Sequence, residues 1–247
     1  MPTQPLPLTG KETGIDVGLK GFLITANGIT ANGITANGQI VENPRHSRKA
    51  ERELKQAQQR VSKRRQGRRR RKKAVQLLAK QHQHVRRQRT DFQHNSARAL
   101  VGEYDVIYVE AIQPANVSRR PAPKQDENGP DEPHGASRTA GLNKRIQDAG
   151  WRHFLAIRAY KAAGAGKRVE AVRPASTSQD CAGCGARIQT SLSVRTQVCT
   201  NGGLILDRDD NAARNLLWRG QRLRGVAGVP AALNREPVGL SPRRSVS

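Results

Sequence analysis

The 247-residue chain carries 44 Lys and Arg against 20 Asp and Glu, a formal net charge of +24, and only 35% of its residues are hydrophobic. So low a hydrophobic content is thin for one large core, and we expect one large or two small domains with part of the chain extended. The positive charge far exceeds what solubility needs and attracts a polyanion, for which nucleic acid is the natural candidate. Charge identifies a class of partner and no chemistry, because a ribosome-type scaffold protein has the same signature.

Membrane and secreted classes are excluded by the absence of their segments. No apolar run is long enough for a transmembrane helix, and the start Met1-Pro2-Thr3-Gln4 lacks the basic-then-apolar order of a signal peptide. The cysteines Cys181, Cys184 and Cys199 lie within nineteen residues, an odd number that fits a reduced metal site better than a disulfide framework. We expect a soluble prokaryotic protein of the cytoplasm, associated with the nucleoid and without a membrane partner.

Two short strands are the first predicted elements. Residues 13–19 predict a buried strand that carries one acid, Asp16, and residues 21–25 predict its partner. The pentamer Ile-Thr-Ala-Asn-Gly then occurs three times between residues 24 and 38, each copy ending in the hairpin-turn signal Asn-Gly. Three copies of five residues are too short for a solenoid, so we interpret the repeat as an expanded turn before a strand at residues 39–41.

A long basic helical segment follows. Residues 45–98 contain twenty Lys and Arg and three acids, and they predict two helices that break near Gly67. Sparse apolar residues leave a narrow buried stripe and a wide basic face. A merely solvated face is the alternative, but with so few acids the self-repulsion would be uncompensated, which favours nucleic-acid contact. The candidate binding residues are Lys63, Arg64, Arg65, Arg68, Arg69, Arg70, Arg71, Lys72, Lys73, Arg86 and Arg87.

The middle of the chain alternates between strand, loop and helix patterns. Residues 106–109 form a continuous apolar run that predicts a buried strand, and this strand ends on the acid Glu110. Residues 118–138, rich in Pro, Asp, Glu, Gly and Ser, predict a flexible loop. Residues 142–162 predict a helix, and residues 169–172 predict a further strand.

Strand-end acids suggest a cation site. Asp16, Glu110 and the cluster of Asp207, Asp209 and Asp210 that opens an apolar helix are three remote sources of carboxylate. Hard cations bind carboxylate oxygens, and two metal ions about 4 Å apart can hydrolyse a phosphodiester. Each acid also has a structural alternative: Asp16 could cap a turn, Glu110 could form a strand-end salt bridge, and Asp209 or Asp210 could cap a helix beginning at Asn211.

Four motifs together resemble a known family. In order and spacing they are similar to the RuvC motifs and zinc-binding insert of TnpB proteins, transposon-encoded RNA-guided nucleases related to the type V CRISPR effectors. The motifs are residues 14–20 (Gly-Ile-Asp-Val-Gly-Leu-Lys), 109–112 (Val-Glu-Ala-Ile), 177–185 (Thr-Ser-Gln-Asp-Cys-Ala-Gly-Cys-Gly) and 206–215 (Leu-Asp-Arg-Asp-Asp-Asn-Ala-Ala-Arg-Asn). The resemblance runs from about Gly14 to Trp218.

This resemblance implies an α/β, RNase H-like (RuvC) fold, in which a mixed sheet carries a long basic helical insertion and a small zinc-ribbon-like insert. In the implied organisation, the first part of a RuvC-like domain occupies residues 1–117, with the basic insertion at about 43–100, and a flexible loop follows at 118–138. The domain continues at 139–176, and the zinc-ribbon-like insert occupies 177–205. The last RuvC motif and helix lie at 206–218, before a disordered tail at 219–247.

The resemblance also implies a chemistry. Asp16, Glu110 and Asp209 would hold Mg2+ in a DNA endonuclease, whose partners would be DNA and a guide RNA derived from the transposon. Zn2+ would be held by Cys181, Cys184 and Cys199. Gly202 stands where the family has a fourth cysteine. Three thiolates plus water could still bind Zn2+, more weakly, and Asp180 is a conceivable but poorly placed substitute ligand. The alternative is a metal-free, mobile loop.

Three hypotheses remain for the function. The first is the metal-dependent, RNA-guided nuclease. The second is a truncated or decayed relative that binds nucleic acid through residues 45–98 without cutting, since only thirteen residues precede Gly14 where family members carry a region that binds guide RNA. The third is a basic ribosome-type scaffold, which would leave the strand-end acids unexplained.

Overall fold

The structure, a computed structural model, describes residues 5–26, 29–30, 33–34, 39–111, 136–173, 176–189 and 194–225. The described strands are β1 (Glu12–Val17), β2 (Gly21–Thr25), β3 (Ile29–Thr30), β4 (Gly33–Ile34), β5 (Ile40–Glu42), β6 (Val106–Glu110), β7 (Arg168–Val172), β8 (Thr196–Val198) and β9 (Ile205–Asp207). The described helices are α1 (His46–Lys49), α2 (Glu51–Ser62), α3 (Arg69–Glu103), α4 (Ala136–Ala149), α5 (Trp151–Gly164) and α6 (Arg208–Leu223).

A mixed five-stranded sheet organises the molecule, as the sequence predicts. The strand order is β5-β2-β1-β6-β7. The β5-β2 and β2-β1 pairs are antiparallel, whereas β1-β6 and β6-β7 are parallel. Parallel neighbours need crossover connections, and helices α1–α3 lie in the chain between β1 and β6 while α4 and α5 precede β7.

Both faces of the sheet are buried, which explains the uninterrupted apolar run of β6. Ile107 and Val109 belong to a core shared with α3 and α5, whereas Val106 and Tyr108 belong to a second core on the α6 side. In the first core the ring of Phe22 packs edge-on against Phe92 and Phe154, with centroids 4.9 Å and 4.8 Å away. A strand covered on both faces has no reason to alternate in polarity.

Helix α6 lies against the sheet at two glycines. A Cβ on Gly14 would come within 2.1 Å of the carbonyl oxygen of Ala213, and one on Gly220 would come within 1.9 Å of the Tyr108 ring. No side chain fits at either point, so glycine is what allows the helix backbone to approach β1 and β6 so closely.

The predicted helices are found, and one of them is divided in two. The break near Gly67 is present, since α2 ends at Ser62, α3 begins at Arg69, and Gly67 has a φ of +83°. The single helix predicted at residues 142–162 is instead α4 and α5, which are separated by Gly150 at φ +65°. The buried amide of Gln93 donates to the carbonyls of Ala149 and Gly150 at this junction, and it thereby satisfies groups that the helix end leaves free.

Two predicted irregular segments are partly helical. Helix α4 begins at Ala136, inside the segment expected to be a loop through residue 138, and α6 continues to Leu223, beyond the expected start of a disordered tail at 219. The last turn of α6 is held because Arg224 pairs with Glu12 at 2.5 Å, an interaction across 212 residues that local composition cannot reveal. Residues 112–135 and 226–247 lie outside the described residues.

The tripled pentamer begins at the end of β2 and leads to β5, and its residues 29–30 and 33–34 form the small antiparallel ladder of β3 and β4. This agrees with an expanded turn. Among the helices that the structure describes, none combines the length and the apolar character needed to cross a bilayer.

Candidate active site

Two of the candidate acids end neighbouring parallel strands. Ile15 of β1 is in register with Val109 of β6, so the next residue on each strand is an acid, Asp16 and Glu110. Side chains alternate between the faces of a strand, and Ile15 and Val109 both face the α3 and α5 core. Asp16 and Glu110 therefore lie on the opposite face, which α6 covers.

The third acid lies in the first turn of α6. The cap of this helix is Asp207, whose carboxylate accepts the backbone N–H of Asp209 at 2.9 Å; the cap is thus neither Asp209 nor Asp210, and the helix begins at Arg208 rather than Asn211. A Cβ on Gly18 would lie 3.8 Å from Oδ2 of Asp209. The start of α6 therefore meets the end of β1.

The three acids interact electrostatically. Burial raises the pKa of Asp16 to about 8, and repulsion from Asp209 and Glu110 contributes to the same shift, partly offset by a backbone hydrogen bond and by Arg208. Burial also raises the pKa of Glu110. Carboxylates that repel one another in a buried setting are a cation-attracting arrangement.

Asp209 is engaged by arginine. Arg195 Nη1 lies 2.9 Å from Oδ2 and 3.3 Å from Oδ1 of Asp209, and Arg208 Nε lies 3.9 Å from Oδ1. Among the described residues, the three cysteines are the group whose ligand atoms converge enough to hold a metal ion. The three carboxylates share one edge of the sheet without forming such a group.

Asp210 has a partner of its own. It forms an ion pair with Arg214 at 3.2 Å, one helical turn further along α6. Together with the capping role of Asp207, this pair gives the two neighbours of Asp209 structural roles.

The three cysteines converge beside this edge. Their Sγ atoms all lie within 4.8 Å of one another, and the Sγ atoms of Cys184 and Cys199 are 3.3 Å apart. Cys181 and Cys199 are buried, while Cys184 is partly exposed. A hydrogen bond from the Cys184 thiol lowers the pKa of Cys199. Thiolates in this arrangement are donors for a thiophilic cation.

Two asparagines that sequence reasoning missed hold the first cysteine loop on α6. Asn211 accepts the N–H of Ala182 and donates to the carbonyl of Asp180, both at 2.8 Å. Asn215 donates to the carbonyls of Thr177 and Asp180 at 2.8 Å and 2.7 Å. Their spacing of four residues, which puts two amides on one face of an apolar helix, was the available signal.

Asp180 is not a substitute ligand for the cysteines. Its carboxylate is bound by the guanidinium of Arg219, with Nη2 2.6 Å from Oδ2. It lies outside the group of side chains whose ligand atoms converge.

Comparison with known proteins finds two family models that match parts of the chain. Residues 1–120 match the OrfB_IS605 family model, described as "Probable transposase", and residues 151–216 match the model of the Cas12f1-like TNB domain. The first 120 residues of the chain are thus similar to the OrfB_IS605 family. Over 98% of its length the chain is 31% identical to a Streptomyces pristinaespiralis protein named "Putative RNA-guided DNA endonuclease", and over 88% it is 27% identical to the Escherichia coli K12 protein named "Putative RNA-guided DNA endonuclease InsQ". The chain spans 51% of each of these relatives.

Solved structures agree on the fold. A cryo-EM structure of a Cas12f1-sgRNA-target DNA complex superposes with a TM-score of 0.55 at 15% identity, covering 86% of this chain and 50% of that chain. A second, of a CRISPR-Cas12f ternary complex, superposes with a TM-score of 0.54 at 15% identity, covering 88% of this chain and 40% of that chain. The chain therefore shares a mixed α/β architecture with Cas12f.

The candidate basic residues line the α2–α3 junction and the following turns of α3. Six of the eleven candidates lie within residues 63–70, and all eleven are exposed apart from Arg71, which is half-buried. Within the part of the chain that the structure describes, none of the eleven forms an ion pair. Their charge is available to a polyanion.

Proposed function

We propose that this chain forms the nuclease part of a metal-dependent DNA endonuclease of the transposon-associated, RNA-guided TnpB type, with an RNase H-like (RuvC) fold. The observation that carries the proposal is the meeting of Asp16, Glu110 and Asp209 from three distant segments. Asp16 and Glu110 lie side by side at the ends of β1 and β6, and Asp209 Oδ2 lies 3.8 Å from a Cβ built on Gly18. A mixed sheet buried on both faces supports the fold.

The three acids fit a divalent cation. Burial disfavours the ionised form of Asp16, Asp209 and Glu110 add to that penalty, and a bound cation would offset it. Mg2+ prefers oxygen ligands, and when bound it supplies an activated water and neutralises charge on the leaving oxygen of a phosphodiester. The chain contributes the carboxylates that hold it.

The chain's own residues orient this site. Asp207 caps α6 and so holds the first turn, in which Asp209 lies, over the end of β1. Gly18, next to Asp209 Oδ2, leaves the approach free of a side chain.

DNA and a transposon-derived guide RNA are the proposed partners. The exposed basic residues around the α2–α3 junction supply the electrostatic attraction, as each phosphate that a protein neutralises adds about −0.9 to the salt slope of duplex binding. The names of the two relatives, which both state RNA guidance and DNA cleavage, support this choice. A cytoplasmic, nucleoid-associated location follows from these partners.

Zn2+ is the metal ion that we propose for the three-cysteine site. Three thiolates from the 177–205 segment, which we propose to be a zinc-ribbon-like insert, would join the loop anchored by Asn211 to the β8–β9 hairpin. Such a cation would stabilise this small segment, which has little core of its own.

The test is cleavage of labelled single-stranded and duplex DNA with Mg2+, with and without RNA copurified from a host that carries the element. Three chains are compared: wild type, Asp209→Ala, and Asp210→Asn, which removes a neighbouring charge outside the proposed site. Cleavage that is lost in Asp209→Ala and retained in Asp210→Asn supports the proposal. A folded wild-type chain that binds nucleic acid and does not cut would instead be a binding protein.

A further inference from the structure

The two cysteine loops have the same backbone construction. In the first loop, Gly185 N–H donates to the carbonyl of Cys181 at 2.8 Å, and Gly183 N–H donates to Cys181 Sγ at 3.3 Å. In the second loop, Gly203 N–H donates to the carbonyl of Cys199 at 2.8 Å. Gly185 and Gly203 both have left-handed backbone, with φ of +71° and +65°.

This equivalence relates Gly202 to Cys184. Cys184 is three residues after Cys181 and directly precedes Gly185, just as Gly202 is three residues after Cys199 and directly precedes Gly203. The second loop thus keeps the turn that would present a ligand, and it has a hydrogen atom where the first loop has a thiol.

Nothing among the described residues fills the position of the missing ligand. Gly202 is exposed, and a Cβ built on it meets no atom within 4 Å. Asp180, the acid adjacent to the trio in sequence, is bound to Arg219. The cysteine group holds three ligand atoms and no fourth from the described part of the chain.

We infer that the cysteine trio is a three-thiolate metal site whose fourth coordination position is open at Gly202 and accepts a small external ligand, such as water or a neutral nitrogen donor. The inference rests on the metal-binding part of the proposed function and is independent of DNA cleavage. It differs from a structural zinc site, in which four protein ligands close the coordination sphere, and resembles the arrangement in which one position exchanges.

The open position can be tested on the full chain with Co2+ as a spectroscopic probe. The protein is kept reduced with a phosphine, stripped of metal, loaded with Co2+, and titrated with imidazole while its visible absorption is recorded. Three chains are compared: wild type, Gly202→Cys, and the matched control Gly202→Ser, which adds a Cβ without a thiol. The backbone of Gly202 is not left-handed, so both side chains fit without strain.

We expect imidazole to shift the Co2+ spectrum of wild type and Gly202→Ser and to leave that of Gly202→Cys unchanged. We also expect Gly202→Cys to bind Zn2+ at least tenfold more tightly than wild type in competition with a chromophoric chelator. A wild-type spectrum insensitive to imidazole, or equal Zn2+ affinities in wild type and Gly202→Cys, would show that the position is already closed. Failure of wild type and Gly202→Cys to bind Co2+ would overturn the metal site itself.

These outcomes are separable from the failure of the proposed nuclease. Absent DNA cleavage with an imidazole-sensitive Co2+ spectrum would refute the nuclease and leave the open site standing. Cleavage dependent on Asp209 with an insensitive spectrum would do the reverse.

Discussion

The guanidinium of Arg195 bonds both carboxylate oxygens of Asp209, at 2.9 Å and 3.3 Å. Arg195 directly precedes β8 of the cysteine hairpin, and its carbonyl also accepts the N–H of Arg208 at 2.7 Å. The hairpin that carries Cys199 is therefore tied to the acid of α6 by both side chain and backbone.

This contact predicts a competition with the proposed cation. Replacing Arg195 with Gln removes a positive charge from Asp209, so we expect Mg2+ to bind about threefold more tightly or better, a modest effect because the Arg195 side chain is 42% exposed. Titration calorimetry measures it, with Arg187→Gln, an exposed arginine of the same segment, as the control. Equal or weaker Mg2+ binding by Arg195→Gln would contradict the competition.

The raised pKa of Asp16 predicts a pH-dependent stability without metal. A carboxyl whose pKa is higher in the folded state, here about 8 against an ordinary 3.8, binds its proton more tightly there. The folded state therefore loses stability as the pH rises from about 4 to about 8, and loses no more from this group above that range. We expect the free energy of unfolding of Asp16→Asn, whose side chain cannot ionise, to equal that of wild type near pH 4 and to exceed it increasingly toward pH 8. Both proteins are measured with a metal chelator present.

Urea unfolding at several pH values measures this difference. The control is Asp210→Asn, whose acid is paired with Arg214 and should show no such gain at high pH. If the difference in free energy of unfolding between Asp16→Asn and wild type stayed constant across this pH range, Asp16 would not have the raised pKa of a buried carboxyl.

The close approach of α6 to β1 predicts that one added methyl group at Gly14 greatly lowers the free energy of unfolding. In Gly14→Ala the new carbon would lie 2.1 Å from Ala213 O and 2.5 Å from Leu217 N, both backbone atoms, so we expect a loss of about 3 kcal/mol or more. The control is Gly102→Ala in α3, where a Cβ meets nothing within 4 Å and should stabilise by about 0.5–1 kcal/mol. Chemical denaturation compares the two, and similar effects would argue against the packing of α6 described above.

We predict that the folded state depends on the N–H groups of the buried Asn215 side chain, which donate to the carbonyls of Thr177 and Asp180. Asn215→Asp would put a carboxylate against two carbonyl oxygens, and we expect it to cost about 3 kcal/mol or more. Asn201→Asp, the same change at an exposed position, is the control and should be near neutral. Thermal unfolding gives the comparison; equal midpoints for the two variants would mean that Asn215 does not anchor the first cysteine loop.

The exposed basic residues predict a salt dependence. Replacing Arg68, Arg69, Arg70 and Arg71 together with Gln should reduce the magnitude of the salt slope for duplex binding by up to about 3.6, because each phosphate contact contributes about 0.9. The corresponding four-Lys variant keeps the charge and should keep the slope. Anisotropy titrations at several salt concentrations measure both, and an unchanged slope in the Gln variant would indicate a merely solvated face.

Much of the fold was accessible from the sequence. The apolar runs at β2 and β6, the two-helix segment around Gly67 and the acids at the ends of β1 and β6 were local patterns, and each is found where its pattern lies. Single boundaries were missed where a distant residue decides them. Gln93 closes the junction at Gly150, and Glu12 holds the end of α6 through Arg224.

The sequence by itself determined which segments become strands and helices, because burial and backbone preference are expressed within a few neighbouring residues. Only the tertiary structure decided which group each polar side chain meets: Asp207 rather than Asp209 caps α6, Arg195 binds Asp209, and Arg219 binds Asp180. Such choices depend on distances between segments far apart in the chain. The spacing of residues along the chain does not specify those distances, because they are set only when the sheet and α6 pack together.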